Sequence, residues 1–188
     1  MLFITNNHFF YALPLLLKEP KYVCPPEIEH CDSKAYCEDP SNVYVDWTDT
    51  WSLENWVQRL NLPCEDPFKV ALLGSMYFAG TTALGLFVTR LGDVYGRKWP
   101  SRISALLGIP VQIALLSSTN LNLMIILFFL LGAVGPGRCQ VGFVYASELL
   151  PERYRTILGS AILFADSSSI VVLPIYHRFL SKSWLPFQ

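Results

Sequence analysis

Charge is scarce in this chain of 188 residues. Only 15% of them are charged, against about a quarter in ordinary soluble domains. The shortage is local: Val70 to Val88 and Ile103 to Gly137 contain no Asp, Glu, Lys or Arg. Such stretches leave no polar face for a water-exposed helix, which excludes an ordinary soluble domain. Other absences narrow the chemistry. There is no Cys-x-x-Cys pair and there are only three histidines, so no zinc cage is expected. Neither a Gly-x-Ser-x-Gly elbow nor a Gly-Lys phosphate loop occurs, which argues against a hydrolase or nucleotide enzyme and against a bound cofactor. No Asn-x-Ser/Thr sequon is present, so Asn-linked glycosylation is not expected. No basic stripe interleaved with aromatics points to nucleic acid.

What is present is hydrophobic length. Roughly 20 apolar residues, rising 1.5 Å each, match a hydrocarbon core of about 30 Å, so each charge-free stretch is long enough to cross a bilayer as a helix. Between them lies Thr89-Arg90-Leu91-Gly92-Asp93-Val94-Tyr95-Gly96-Arg97-Lys98. From Arg90 to Arg102 there are four bases and one acid, whereas Lys18 to Lys69 holds eleven acids and five bases. Basic residues beside transmembrane ends mark the cytoplasmic side. The short link is therefore placed inside and the acidic stretch outside. Gly96 is the residue there that tolerates a tight turn with positive φ, and Asp93 and Arg97 are spaced to bond each other.

Leu91, Asp93, Gly96, Arg97 and Lys98 match the loop between transmembrane helices 2 and 3 of the major facilitator superfamily, which this stretch resembles. Thr89 and Val94 depart from the pattern, standing where that family usually has Gly and Arg. A second stretch, Glu148-Leu149-Leu150-Pro151 with Arg155 ahead of a Gly-containing helix, resembles the family's next cytoplasmic link. Arg138 followed by Gly142 resembles its Arg-x-x-x-Gly motif on helix 4. The run from Trp47 to Trp56, followed by Leu62 and Cys64, is similar to the extracellular loop of the organic cation/anion branch. The tryptophans would equally suit a membrane-interface belt.

In chain order, residues 1–17 read as a partial first transmembrane helix. Its run Phe9 to Leu17 reaches only about 14 Å, and the beginning looks truncated. Residues 18–67 read as an extracellular loop, polar and long. Its Cys24, Cys31, Cys37 and Cys64 suggest two disulfides in an oxidising compartment, with three possible connectivities. Residues 68–188 read as transmembrane helices 2 to 5, over about 68–90, 100–118, 121–147 and 156–177, joined by two cytoplasmic links. On helix 2, Ser75, Ala79 and Ala83, with Gly80 and Gly85 nearby, are small residues at the spacing that lets helix backbones approach in lipid. On helix 3, Pro110 predicts a kink and Gln112 is expected to face protein. Ser181 to Gln188 reads as an outer interfacial anchor, with no sixth helix after it.

Two charges lie within the apolar helices. Arg138 and Asp166 fall roughly 12 Å and 15 Å from the inner ends of helices 4 and 5 by helical rise, so they are matched in depth. An intramembrane charge points into the bundle and marks a pathway or a buried pair. Arg138, Asp166 and Gln112 are the candidate cavity residues. Asp93, Gly96, Arg97, Lys98, Glu148 and Arg155 are the candidate cytoplasmic gate, with Asp93, Arg97, Glu148 and Arg155 expected in one cluster.

The fold expected is an all-α membrane protein of about four to five transmembrane helices, an incomplete N-terminal half of a major facilitator fold. The resemblance implies transport of a small organic solute by alternating access, possibly with a coupling ion, in a plasma membrane or endomembrane. A missing C-terminal half or a partner chain would complete the cavity. The competing expectation is a truncated or degenerate homologue serving as a structural or accessory membrane subunit.

Overall fold

The computed structural model describes residues 11–25, 31–49 and 52–179. The first ten residues of the expected first helix, Trp51 and the expected anchor at Ser181 to Gln188 lie outside these. The described residues fall into two compact units, residues 71–168 and residues 11–70 with 169–179.

Among the described residues four helices are long and apolar enough to cross a membrane. The first, α3, covers Pro67–Tyr95. It starts where Asp66 Oδ1 accepts from Phe68 N at 3.0 Å, with Pro67 at the first helical position, where no N–H is needed. It stops at Gly96, whose φ of 87° no other residue type adopts readily. Next comes α4, Lys98–Ser117, which runs through Pro110 as a continuous helix. The third span opens with α5, Leu121–Pro136, capped by Asn120, whose side chain accepts from Asn122 N. It passes through a π turn at Gly137–Val141 and ends as α6, Gly142–Leu149. The sequence predicts one helix over about 121–147, and the structure interrupts it with this turn. The wider turn follows Gly135-Pro136-Gly137, where proline removes a backbone donor and two glycines lower the cost of irregular geometry. The last span is α7, Glu152–Phe179.

Within residues 71–168, α3 and α5 cross by reciprocal glycine contact. A Cβ added at Gly80 would overlap the carbonyl oxygen of Phe129 and lie 2.9 Å from Ala133 N. One added at Gly132 would overlap the carbonyl oxygen of Tyr77. Thr81 Oγ1 donates across the crossing to the Gly132 carbonyl at 3.2 Å. Leu73, Met124, Phe128 and Leu131 are buried around it. Close backbone approach of this kind is how helices associate in lipid, where apolar surface alone gives no drive. Of the small residues on this helix, Gly80 makes the approach, whereas Ser75, Ala79 and Ala83 are exposed. They lie on another side of α3, and spacing alone did not say which side would pack.

A second seam runs along α4, where Pro100, Ser104 and Gly108 recur every four residues. Gly137 meets Ser104, and a Cβ at Gly142 would lie 3.2 Å from Ser101 Oγ. Elsewhere α3, α4 and α7 expose Phe78, Leu86, Leu106, Leu163 and Phe164, side chains that hydrocarbon accepts and water does not.

In the other unit the stretch expected as a polar loop is folded. Tyr22–Val23 and Tyr44–Val45 (β1 and β2) pair antiparallel, and Ser33–Glu38 (α1) and Trp56–Arg59 (α2) are short helices. Trp56 is 1% exposed and Val57, Val43 and Leu53 are buried with it. Trp56 thus fills a core rather than a membrane belt; Trp47 is exposed. Asn55 ties this core to the helical residues 11–16. Its Nδ2 donates to the carbonyls of Leu15 at 3.0 Å and Lys18 at 2.7 Å, while its Oδ1 accepts from Val57 N. One side chain thereby serves both a helix end and a helix start. Of the three connectivities, the fold adopts Cys24–Cys31 and Cys37–Cys64, with Cα separations of 5.7 and 5.4 Å.

Candidate functional site

The charged end of the helices is built by two breaks in the chain. Gly96 ends α3 one residue before Arg97, and Leu150-Pro151 ends α6 just after Glu148. Arg97 stands between two acids. Its Nη2 lies 3.5 Å from Asp93 Oδ1, one turn back on α3, and its Nε lies 3.2 Å from Glu148 Oε1 on α6. A planar guanidinium presents several donors at fixed angles, so it can hold two carboxylates where a lysine would hold one. Arg97 is half-buried, and the Glu148 side chain is 51% exposed. A pair so placed is worth at most about 1 kcal/mol, weak enough to open and close. Beside it is a cleft of about 200 Å³ lined by Thr89, Gly92, Asp93, Arg97, Gln140 and Val144.

Two other residues expected here stand apart. Arg155 Nε donates to the Leu150 carbonyl at 3.3 Å, so it closes the end of the α6–α7 link. Lys98 is exposed at the start of α4. Gly96 supplies the turn that aims Arg97.

Deeper in the same unit, Arg138 sits on the π turn and is 4% exposed. It lies over Gly108 of α4: a Cβ there would come within 2.7 Å of Nη1 and 2.8 Å of Cζ. Gly108 therefore leaves the space in which the Arg138 guanidinium lies, a contact not expected from the sequence. Its signal was available as the glycine one turn beyond Ser104 on a stretch that also holds Gln112. Gln112, one turn further on, is half-buried and shares that face of α4 by helical spacing. Asp166 is half-buried on α7. Among the described residues no group of three His, Cys, Asp or Glu side chains is placed to hold a metal ion.

Four apolar spanning helices, one of them interrupted around a buried arginine, define a multi-pass integral membrane protein. Residues 46–188 match the profile of the Major Facilitator Superfamily, and the chain belongs to that family, one of membrane transporters rather than enzymes. It is 31% identical over 138 residues to the human "Organic cation/carnitine transporter 2", covering 70% of this chain and 24% of that protein. It is 30% identical over 136 residues to the mouse "Solute carrier family 22 member 4", again 70% and 24%. With the Arabidopsis thaliana "Organic cation/carnitine transporter 4" it shares 30% over 150 residues, 79% of this chain and 28% of that one. The chain thus spans about a quarter of the length of the curated relatives it matches. No solved structure matches it.

Proposed function

We propose that this chain forms part of the N-terminal half of a transporter for small organic solutes, working by alternating access. The observation that carries the reading is the Arg97 bridge between α3 and α6. In this reading the contact joins the cytoplasmic ends of two helices and is weak enough to break and re-form as an inner gate opens and closes. The relatives' names indicate the solute class, organic cations and carnitine. Arg138 and Asp166 are the groups proposed to face a shared cavity, as a pair or across water, because charge at that depth is retained where it has a partner or a pathway. Gln112 lies on the face proposed to join them. Residues 1–17, 18–67 and 68–188 are taken as partial first helix, extracellular domain and helices 2 to 5. Disulfides in residues 18–67 fit an exterior or lumenal position.

The test is uptake of labelled tetraethylammonium and L-carnitine by cells expressing this chain together with the C-terminal half that completes its cavity, against cells expressing an Arg138→Ala variant at equal surface abundance. Uptake above background that falls with Arg138→Ala supports the reading. Background uptake by an abundant, correctly inserted protein contradicts it.

A further inference from the structure

At the cytoplasmic ends of α3 and α4 the structure leaves an apolar groove of about 280 Å³, lined by Val88, Leu91, Tyr95, Trp99 and Ile103. Tyr95 is 73% exposed and Trp99 62%, and rings of these two types at a membrane end sit at headgroup level. By helical rise the groove runs roughly 10 Å from Tyr95 down to Val88. Its lower end reaches hydrocarbon depth. An acyl chain fits such a slot; a soluble anion does not need one.

At the mouth the charges are of one sign. Lys98 and Arg102 stand one turn apart on the same face of α4, both exposed. Like charges at that spacing repel, and among the described residues neither has an acid within ion-pair distance. Of the acids of this end, Asp93 and Glu148 are both engaged by Arg97 and Glu152 stands in the first turn of α7. The start of α4 is open as well: its first turn holds no acidic residue, and Arg97 at the N-cap gives no side-chain cap. Uncapped N–H groups and the helix dipole therefore add to the field of the two cations. Arg102, deeper by about 6 Å than Lys98, has a stem long enough to lie along Ile103 and Leu106 with its head directed to the interface.

From these features we propose that the α3–α4 groove is a binding site for one anionic phospholipid of the cytoplasmic leaflet. Its phosphate sits at the start of α4 between Lys98 and Arg102, and one acyl chain lies along Leu91 and Ile103 between Tyr95 and Trp99. The four components converge on one small area: a chain-sized apolar slot, two aromatics at its mouth, two cations lacking an acid, and an uncapped helix start. Basic pockets between transmembrane helices on the inner side select anionic headgroups for the same electrostatic reason. The site needs only the inside placement of this end and not transport itself, so a binding assay separates it from the proposed function.

The experiment is native mass spectrometry of the purified protein in detergent with dioleoylphosphatidylserine or dioleoylphosphatidylcholine. One tightly held phosphatidylserine, preferred about tenfold over phosphatidylcholine, is expected. In Lys98→Gln/Arg102→Gln, both exposed positions that the fold tolerates, the preference should fall to near unity. Ile103→Trp, which fills the slot, should lower retention of phosphatidylserine while leaving the two cations in place. Equal retention of the two lipids, or a preference unchanged in the double variant, overturns the proposal. So does full displacement of the lipid by millimolar inorganic phosphate, which would make the site one for a free anion. Uptake measured on the same variants reports on transport separately.

Discussion

Arg97 Nε lies 3.2 Å from Glu148 Oε1, and the same guanidinium lies 3.5 Å from Asp93 Oδ1. One cation thus joins the C-terminal end of α3 to the C-terminal end of α6, elements separated in the chain by the spans between them. Asp93 lies four residues back, across the turn at Gly96, so its contact with the guanidinium is local in the chain and does not need α6. Glu148 is the part of the contact that depends on how the helices are arranged. A weak bond that depends on helix arrangement beside one that is local in the chain suits a latch better than a rivet.

The glycine crossing sets the stability of the helix pack. Gly80→Ala should destabilise the protein by about 1–3 kcal/mol, since the added methyl meets backbone that cannot move aside as a side chain would. Ala79→Gly, on the exposed side, should cost only about 1 kcal/mol of helix propensity. Thermal unfolding in detergent distinguishes them; equal shifts would place the crossing elsewhere.

Gly108 should matter to function through Arg138 alone. Gly108→Ala puts a methyl where the guanidinium lies, so it should lower uptake as Arg138→Ala does, and the double variant should be no worse than either single one. Additive losses would show that the two residues act separately.

The disulfides differ in what they constrain. Cys37–Cys64 closes a separation of 27 residues and Cys24–Cys31 one of 7. In the chain-entropy account, removing the first costs roughly 3.5 kcal/mol and the second roughly 2.4. Unreduced peptide mapping should recover these two linkages, and replacing Cys37 and Cys64 by Ser should lower the unfolding temperature more than replacing Cys24 and Cys31.

Burial, then the nearby Glu19 carboxylate, push the Tyr22 phenol from 10.0 up to about 12. A folded value above the unfolded one means the neutral phenol is favoured in the fold. That contribution is whole below pH 10 and is lost as pH rises towards 12. Hydrogen exchange of the β1–β2 amides should therefore accelerate over that window more in the wild type than in Tyr22→Phe. An identical pH dependence in both would contradict it.

Several features were legible in the residues. The turn at Gly96, the four spans and the spacing of Asp93 and Arg97 depend on neighbouring positions and on apolar length, which sequence carries directly. The π turn, the Gly108 slot and the choice of Gly80 over the Ser75-Ala79-Ala83 side depend on which helices meet. A single helix holds no record of its partner's face. The core around Trp56 was hidden for a related reason: its contacts are fixed by Asn55 and two disulfides, in a stretch whose composition reads as polar loop.

The latch is the central claim, and a double-mutant cycle on transport tests it most directly. Uptake of labelled tetraethylammonium would be measured in Arg97→Gln, Glu148→Gln and the double variant at matched surface abundance. A pair worth at most about 1 kcal/mol shifts a two-state balance by up to about fivefold. Each single variant should therefore change the uptake rate about two- to fivefold, and the double variant should match them rather than compound the effect. Independent, multiplying effects, or no effect of Glu148→Gln at all, would mean that the Arg97–Glu148 contact does not set the inner gate.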